Sequence, residues 1–199
     1  MIMSSQPDHK PVTTELPSLA VAHNEADRQR YHRMFKQGLI ERPDRGLYLV
    51  NPSRWSPDHD LAAVAVRKPE AVICCLSAAH FHHLTTYVPE EVQIGVPSSR
   101  HPPRWKWPRI EPITIDLDPA IGGIDTHIRE GIPIKVTSPA RTIAELWRHQ
   151  DRVLPNVYQE ILRTVLERKL ARPSDILPFA KRFRVEREVS LMIQTVFGP

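Results

Sequence analysis

The stretch GLIERPDRGLYLV, Gly38 to Val50, sets two apolar runs, Leu39–Ile40 and Leu47–Val50, on either side of Pro43, Asp44, Arg45 and Gly46. Proline pre-sets the first corner of a turn and glycine supplies a positive-φ position, so the spacing predicts a β-hairpin. Its turn is flanked by arginines, Arg42 and Arg45. Just upstream, EADRQRYHRMFKQG places Tyr31, Met34 and Phe35 at i, i+3, i+4, the period of an amphipathic helix, with Gly38 as its stop. The other face of that helix carries Gln29, Arg30, Arg33 and Lys36. Before it, LPSLAVAHN reads as a short helix, with Asn24 stopping it or capping the next. Short helix, turn, helix and two-stranded ribbon is the order of a winged helix-turn-helix.

Working outward, residues 1–16 read as a polar, flexible tail, and 17–54 as the winged-helix unit. NPSRWSPDHD is a linker into a second unit, 55–199. There LAAVAVRKP predicts a helix ended near Pro69, and AVICCLSAAHFHHL a buried apolar run followed by a helix capped by Ser77. EEVQIGVP, IEPITIDLD and GIPIKVTSP alternate like strands, and an antiparallel sheet is expected from Val72 to Val136. The last third is helical. SPARTIAELWRHQ opens with a serine cap and proline at the first position, with Ile143, Leu146 and Trp147 on one face. NVYQEILRTVLERK, SDILPFAKRF and EREVSLMIQTVF supply three more helices.

The 199 residues carry a formal charge of +4 and are 41% hydrophobic, enough for a real core. Charge is segregated. Seven Lys/Arg face four Asp/Glu between Ser18 and Arg54, four face one between Pro97 and Ile115, and eight face three between Arg163 and Arg187. Clustered cations that neutralise phosphates release counterions, the main drive of sequence-independent nucleic-acid binding. An exposed Gln29, Arg30 and Arg33 suit a major groove, where arginine reads guanine and glutamine reads adenine. Arg42 and Arg45 at a wing tip would reach phosphates or the minor groove. Further contacts to nucleic acid or a protein partner are expected of Arg100, Arg104 and Lys106, of Arg163, Arg168 and Lys169, and of Lys181, Arg182 and Arg184. RHPPRWKWPR interleaves cations with Trp105 and Trp107, a pattern that stacks bases or, being proline-rich, covers a core edge.

Catalytic chemistry finds little support. Cys74 and Cys75 are adjacent in an apolar run and read as buried, reduced thiols. His80, His82 and His83 lack the ligand spacing of a structural zinc site. Asp116 and Asp118 fall on one face of the expected strand, as a two-metal nucleic-acid-processing enzyme would need, but no glycine-serine turn precedes them. Seven scattered glycines build no phosphate loop, and no cofactor or metal is expected. Without an apolar run of membrane length or a leader-like N-terminus, a cytoplasmic location and no membrane contact are expected.

Three segments, GLIERPDRGLYLV, AVICCLSAAHFHHLTTYVPEEVQIGVP and IKVTSPARTIAELWRH, occur in the order and rough spacing of the AbiEi antitoxins, and the chain resembles that family from about Phe35 to Phe197. These are transcription-regulating partners in type IV toxin–antitoxin, abortive-infection systems. The resemblance implies a non-enzymatic repressor whose winged helix binds inverted repeats in double-stranded DNA of its own promoter, as a possible homodimer. Its C-terminal domain would counteract a nucleotidyltransferase-like toxin. By position, Arg30, Arg33, Arg42, Arg45 and Tyr48 fall in the recognition helix and wing. The chain departs from the family in its first helix, which is missing or reduced to a turn. Tyr31, Met34 and Phe35 then need cover from the C-terminal domain, a second protomer or a partner, and a truncated antitoxin acting by protein contact alone is the alternative. The expected fold is α+β: a winged helix-turn-helix, complete or without its first helix, then a mixed α/β domain with a small antiparallel sheet and C-terminal helices.

Overall fold

A computed structural model describes residues 17–97, 103 and 105–197, so the expected tail 1–16 and the candidate residues Arg100 and Arg104 lie outside the described residues. The described chain is α+β, with seven α-helices and two sheets.

Strand β1 (Leu19–Val21), helix α1 (Glu25–Lys36) and strands β2 (Glu41–Asp44) and β3 (Leu47–Leu49) form the first unit. The sheet order is β1-β3-β2, antiparallel throughout. The hairpin expected from GLIERPDRGLYLV is therefore present, with Gly46 at φ +78. Its turn is shorter than expected. Pro43 lies inside β2, an outer strand, where its missing N–H breaks no ladder. The segment read as a short helix is corrected to β1. Leu19, Ala20 and Val21 pair with Leu49, Tyr48 and Leu47, and Leu19 is wholly buried. Three residues cannot repay the cost of a helical nucleus, whereas a strand borrows its hydrogen bonds from a neighbour already in place. Among the described residues one helix precedes the ribbon, not two.

Helix α1 starts where Asn24 accepts the Asp27 amide at 2.8 Å, with Glu25 and Asp27 in its first turn and Arg33 and Lys36 in its last, matching the helix dipole. It ends as Gly38 turns to φ +71. Cover for its apolar side comes from its own sheet: the Tyr31 ring sits 5.1 Å from that of Tyr48. The cover is partial. No α1 residue is buried, and Phe35 and Leu39 stay 38% and 66% exposed.

Helix α2 (His59–Arg67) lies between this unit and a five-stranded sheet, touching both β1 and a strand of that sheet, β8. The sheet contains β4 (Val72–Ile73), β5 (Val92–Val96), β6 (Ile110–Thr114), β7 (Ile124–Arg129) and β8 (Ile132–Thr137), in the order β6-β5-β4-β8-β7. It is mixed, which corrects the expected antiparallel sheet: β4 runs parallel to β8, and β5 parallel to β6. Alternate residues Val92, Ile94 and Val96 of β5 and Ile132, Ile134 and Val136 of β8 join Leu19, Leu47, Leu49 and the alanine-rich side of α2 in one apolar cluster.

Helix α3 (Cys75–Phe81) opens at Cys74, not at Ser77. The Ser77 hydroxyl instead accepts the Gln93 amide at 2.9 Å, while Gln93 Oε1 accepts the Leu76 amide at 2.7 Å. These bonds stitch α3 to β5. Helices α4 (Pro139–Arg148), α5 (Pro155–Glu167), α6 (Pro173–Arg182) and α7 (Glu186–Phe197) follow, and their apolar sides gather with Ile113 and Ile115 into a second cluster. Ser138 caps α4 and Pro139 opens it, as the sequence predicts.

A buried carboxylate fastens the segment read as a linker. Glu130, at the β7–β8 turn, accepts hydrogen bonds from the Ser18 hydroxyl and from the amide and hydroxyl of Ser56, and lies 2.8 Å from His59 Nδ1. Burial alone would push this carboxyl up, but those partners together hold it below its ordinary value. Trp55 stacks on His59 at 4.2 Å. A second fastening grips the ribbon. Arg67, at the end of α2, donates to Asp44 (2.7 Å), to the carbonyl of Arg45 (3.2 Å) and to that of Trp107, and its guanidinium lies 4.7 Å over the Trp105 ring.

Candidate functional site

The expected nucleic-acid face begins on α1. With about 100° per residue, Gln29, Arg33 and Lys36 point directly away from the side that holds Tyr31 and Met34, and Arg30 stands on the flank. All four are exposed. Arg28 is tied to Glu25 at 2.8 Å, and Gln29 reaches the same carboxylate at 3.5 Å. Arg30, Arg33 and Lys36 carry no ion pair among the described residues, and neither do the exposed side chains of Arg42 and Arg45 on the ribbon. The ribbon's own acid nearest its tip, Asp44, is occupied by Arg67. Among the described residues, five cations thus stand free on two adjoining elements.

Tyr48 is corrected. It is 4% exposed on the central strand of its sheet, with its ring against Tyr31, so it positions α1 and does not reach a duplex.

The remaining cations fall into separate places. Lys106 is exposed on the loop before β6. Arg163, Arg168 and Lys169 are exposed on and after α5, where Arg168 donates to the carbonyl of His83 at 2.9 Å. Lys181 is exposed near the end of α6, while Arg182 and Arg184 join Arg148 in lining a cleft of about 800 Å³.

The two aspartates of the enzyme reading line that same cleft, but not from a strand. Strand β6 stops at Thr114 and both lie in the loop beyond, which corrects their expected shared strand face. Asp116 accepts the Asp118 amide at 3.1 Å and pairs with Arg182 at 3.1 Å; the amide first and the arginine after it hold its carboxyl below the ordinary value. Asp118 caps the following turn through the Ala120 amide.

Beneath the cleft lies an ion pair that sequence reading missed. Arg141 is 0% exposed; its Nε donates to Glu145 Oε1 at 2.8 Å, and its two terminal nitrogens donate to the carbonyls of Gly122 and Asp116. One guanidinium therefore binds α4 to both ends of the loop that walls the cleft. Gly123, in that loop at φ +69, has room for no side chain, because a Cβ would lie 2.6 Å from the Phe179 ring. The signal was present in TSPARTIAEL: opposite charges at i, i+4 amid apolar neighbours, on a helix flanked by core. Burial pushes the Glu145 carboxyl up, against the pull of Arg141.

The histidines are dispersed. His82 Nε2 lies 2.8 Å from the Thr137 carbonyl, its ring packs with Phe81 and His127, and His83 is exposed. Among the described residues no group of three His, Cys, Asp or Glu is placed to hold a metal ion, and no helix is long and apolar enough to cross a membrane. Cys74 and Cys75 are buried free thiols, and burial pushes Cys74 well up. No protein-family model matches the chain, and no curated protein matches it either.

Proposed function

We propose that this chain is a DNA-binding antitoxin of the AbiEi kind, which represses its own toxin–antitoxin operon and counteracts a nucleotidyltransferase-like toxin. The observation that carries the DNA-binding half is the set of five cations unpaired among the described residues, Arg30, Arg33 and Lys36 on α1 with Arg42 and Arg45 on the ribbon. A helix fits the major groove of B-DNA, and the exposed Gln29, Arg30 and Arg33 are of the types that read adenine and guanine edges there. Arg42 and Arg45 take phosphates beside it. Two copies would meet an inverted repeat about its two-fold axis.

Gel shift with the region upstream of the gene tests this. The expected result is a complex whose log affinity falls with log salt at a slope of about −2.7 per protomer, with Lys36, Arg42 and Arg45 each meeting one phosphate at about −0.9. Arg30→Ala and Arg33→Ala each weaken it by about 1–3 kcal/mol where they touch bases. Because both side chains are exposed and outside any ion pair described, stability should stay within about 0.5 kcal/mol of the parent. Full affinity in both variants would overturn the assignment of α1.

A second reading, an antitoxin acting by protein contact alone, draws support from the one helix that precedes the ribbon among the described residues and from exposed Phe35 and Leu39 beside it. A folded protein that shifts no DNA at low salt, yet copurifies with a nucleotidyltransferase encoded next to it, selects this reading.

A further inference from the structure

The four edges of the two sheets are not alike. Strand β1 is three residues long, β2 carries Pro43, and β6 carries Pro112 at its middle, features that keep an edge from pairing with another chain. Strand β7 has six residues and no proline, and among the described residues no strand lies beyond it. Its backbone is set for pairing. The Ser138 amide donates to the Gly123 carbonyl at 2.9 Å, which makes Gly123 and Ser138 a hydrogen-bonded pair. Such pairs alternate along an antiparallel ladder, so Asp125, His127 and Arg129 bond to β8 while Ile124, Thr126 and Ile128 turn their amides and carbonyls outward. Arg129 Nη1 donates to the Ile128 carbonyl at 3.1 Å, which leaves that oxygen a second lone pair.

The side chains of this edge complement themselves. Two β7 strands laid antiparallel about a two-fold axis at Thr126 set Ile124 of each copy opposite Ile128 of the other, and the two threonines opposite one another. Ile128, 62% exposed, thereby gains an apolar cross-strand neighbour. On the other face Asp125 falls opposite His127 of the second copy and diagonal to its Arg129, so an acid meets bases. Arg129 in turn falls opposite Gly123, which has no side chain to obstruct it. Moving the axis to Asp125 or to His127 would set that residue against its own copy.

We propose that β7 is the contact between two copies of this chain, paired antiparallel about Thr126 so that their five-stranded sheets join into one. The contact supplies the two-fold axis that an inverted repeat asks for, yet it is tested without DNA, so either reading can fail alone.

Sedimentation velocity of the full chain without DNA should show a reversible monomer–dimer equilibrium in the micromolar range, since six residues a side make a small interface. Thr126→Pro removes an outward amide and no bond of the β7–β8 ladder, so it should keep the melting transition and weaken the dimer about tenfold or more. Ile128→Lys, at an exposed position, should do the same by placing a charge on the edge. Thr126→Cys should give a disulfide-linked dimer with oxidised glutathione, because hydrogen-bonded antiparallel partners lie about 5.5 Å apart at Cα, within disulfide reach. The proposal is overturned if the chain stays monomeric through that range, if Thr126→Pro and Ile128→Lys dimerise like the parent, or if Thr126→Cys does not cross-link. A monomer whose amides at Ile124, Thr126 and Ile128 are protected from exchange would also overturn it, reassigning the edge to the chain's own residues 1–16.

Discussion

Helices α1 and α4 are of similar length, 12 and 10 residues, and both bear arginine, yet they use it in opposite ways. On α1 no residue is buried, and Arg30 and Arg33 are turned to solvent. On α4 seven residues are buried, and Arg141 holds three separate groups. The difference lies in what surrounds each helix. Helix α4 packs against α3, α5, α6 and α7, so a cation there persists only where its hydrogen bonds are met. Helix α1 leans on a three-stranded sheet through one side alone, which leaves its charges available to another molecule.

The largest test of that contrast is Arg141→Ala. It strands the Glu145 carboxylate and the carbonyls of Gly122 and Asp116 in the interior, a loss of about 3–5 kcal/mol in urea denaturation. A variant as stable as the parent would mean that the pair is not structural. Next in size is Glu130→Gln, which loosens the clasp on Ser18, Ser56 and His59 by about 1.5–3 kcal/mol, since its bonds are to a charged group. This clasp also sets a pH signature. The folded carboxyl titrates below its unfolded value, ordinarily about 4.3. Its contribution is therefore complete above that value and vanishes as pH falls through the lower, folded one. Melting temperature followed downward from pH 5 should drop less steeply in the variant than in the parent. The smallest effect belongs to the open helix: Asn24→Ala removes the α1 cap at a cost of about 1 kcal/mol. Amide exchange should rise within α1 while the five-stranded sheet keeps its protection.

Elements with a strong period of their own are readable from sequence. The face of α5 built from Val157, Ile161 and Val165, the serine-proline start of α4 and the ribbon around Gly46 all stand where patterning puts them. What escapes it depends on partners distant in the chain. Strand β1 is three residues that become a strand only because Leu49 lies opposite Leu19. The parallel pairing of β4 with β8 leaves no mark in alternation, which looks the same for either direction. Tyr48 falls by resemblance in the recognition helix and wing, but its strand is central and one face of it is filled by Tyr31. The cleft draws on Pro97 after β5, the end of β6 and the loop beyond it, α4 and the end of α6, and the Glu130 clasp on three segments 112 residues apart at their widest; neither forms a local motif. Of the candidate interface, the residue types and their helical face are legible. Their freedom from internal ion pairs is not.

The grip of Arg67 on the ribbon tip has a consequence for any docking event. Asp44 and the Arg45 carbonyl are held to α2, and α2 is packed in the apolar cluster it shares with β5 and β8, so the tip is anchored to that cluster. A loop that must be stilled on contact gives up part of its affinity to lost freedom, whereas one stilled during folding arrives already set. The ribbon is of the second kind, and its reach is fixed before it meets anything.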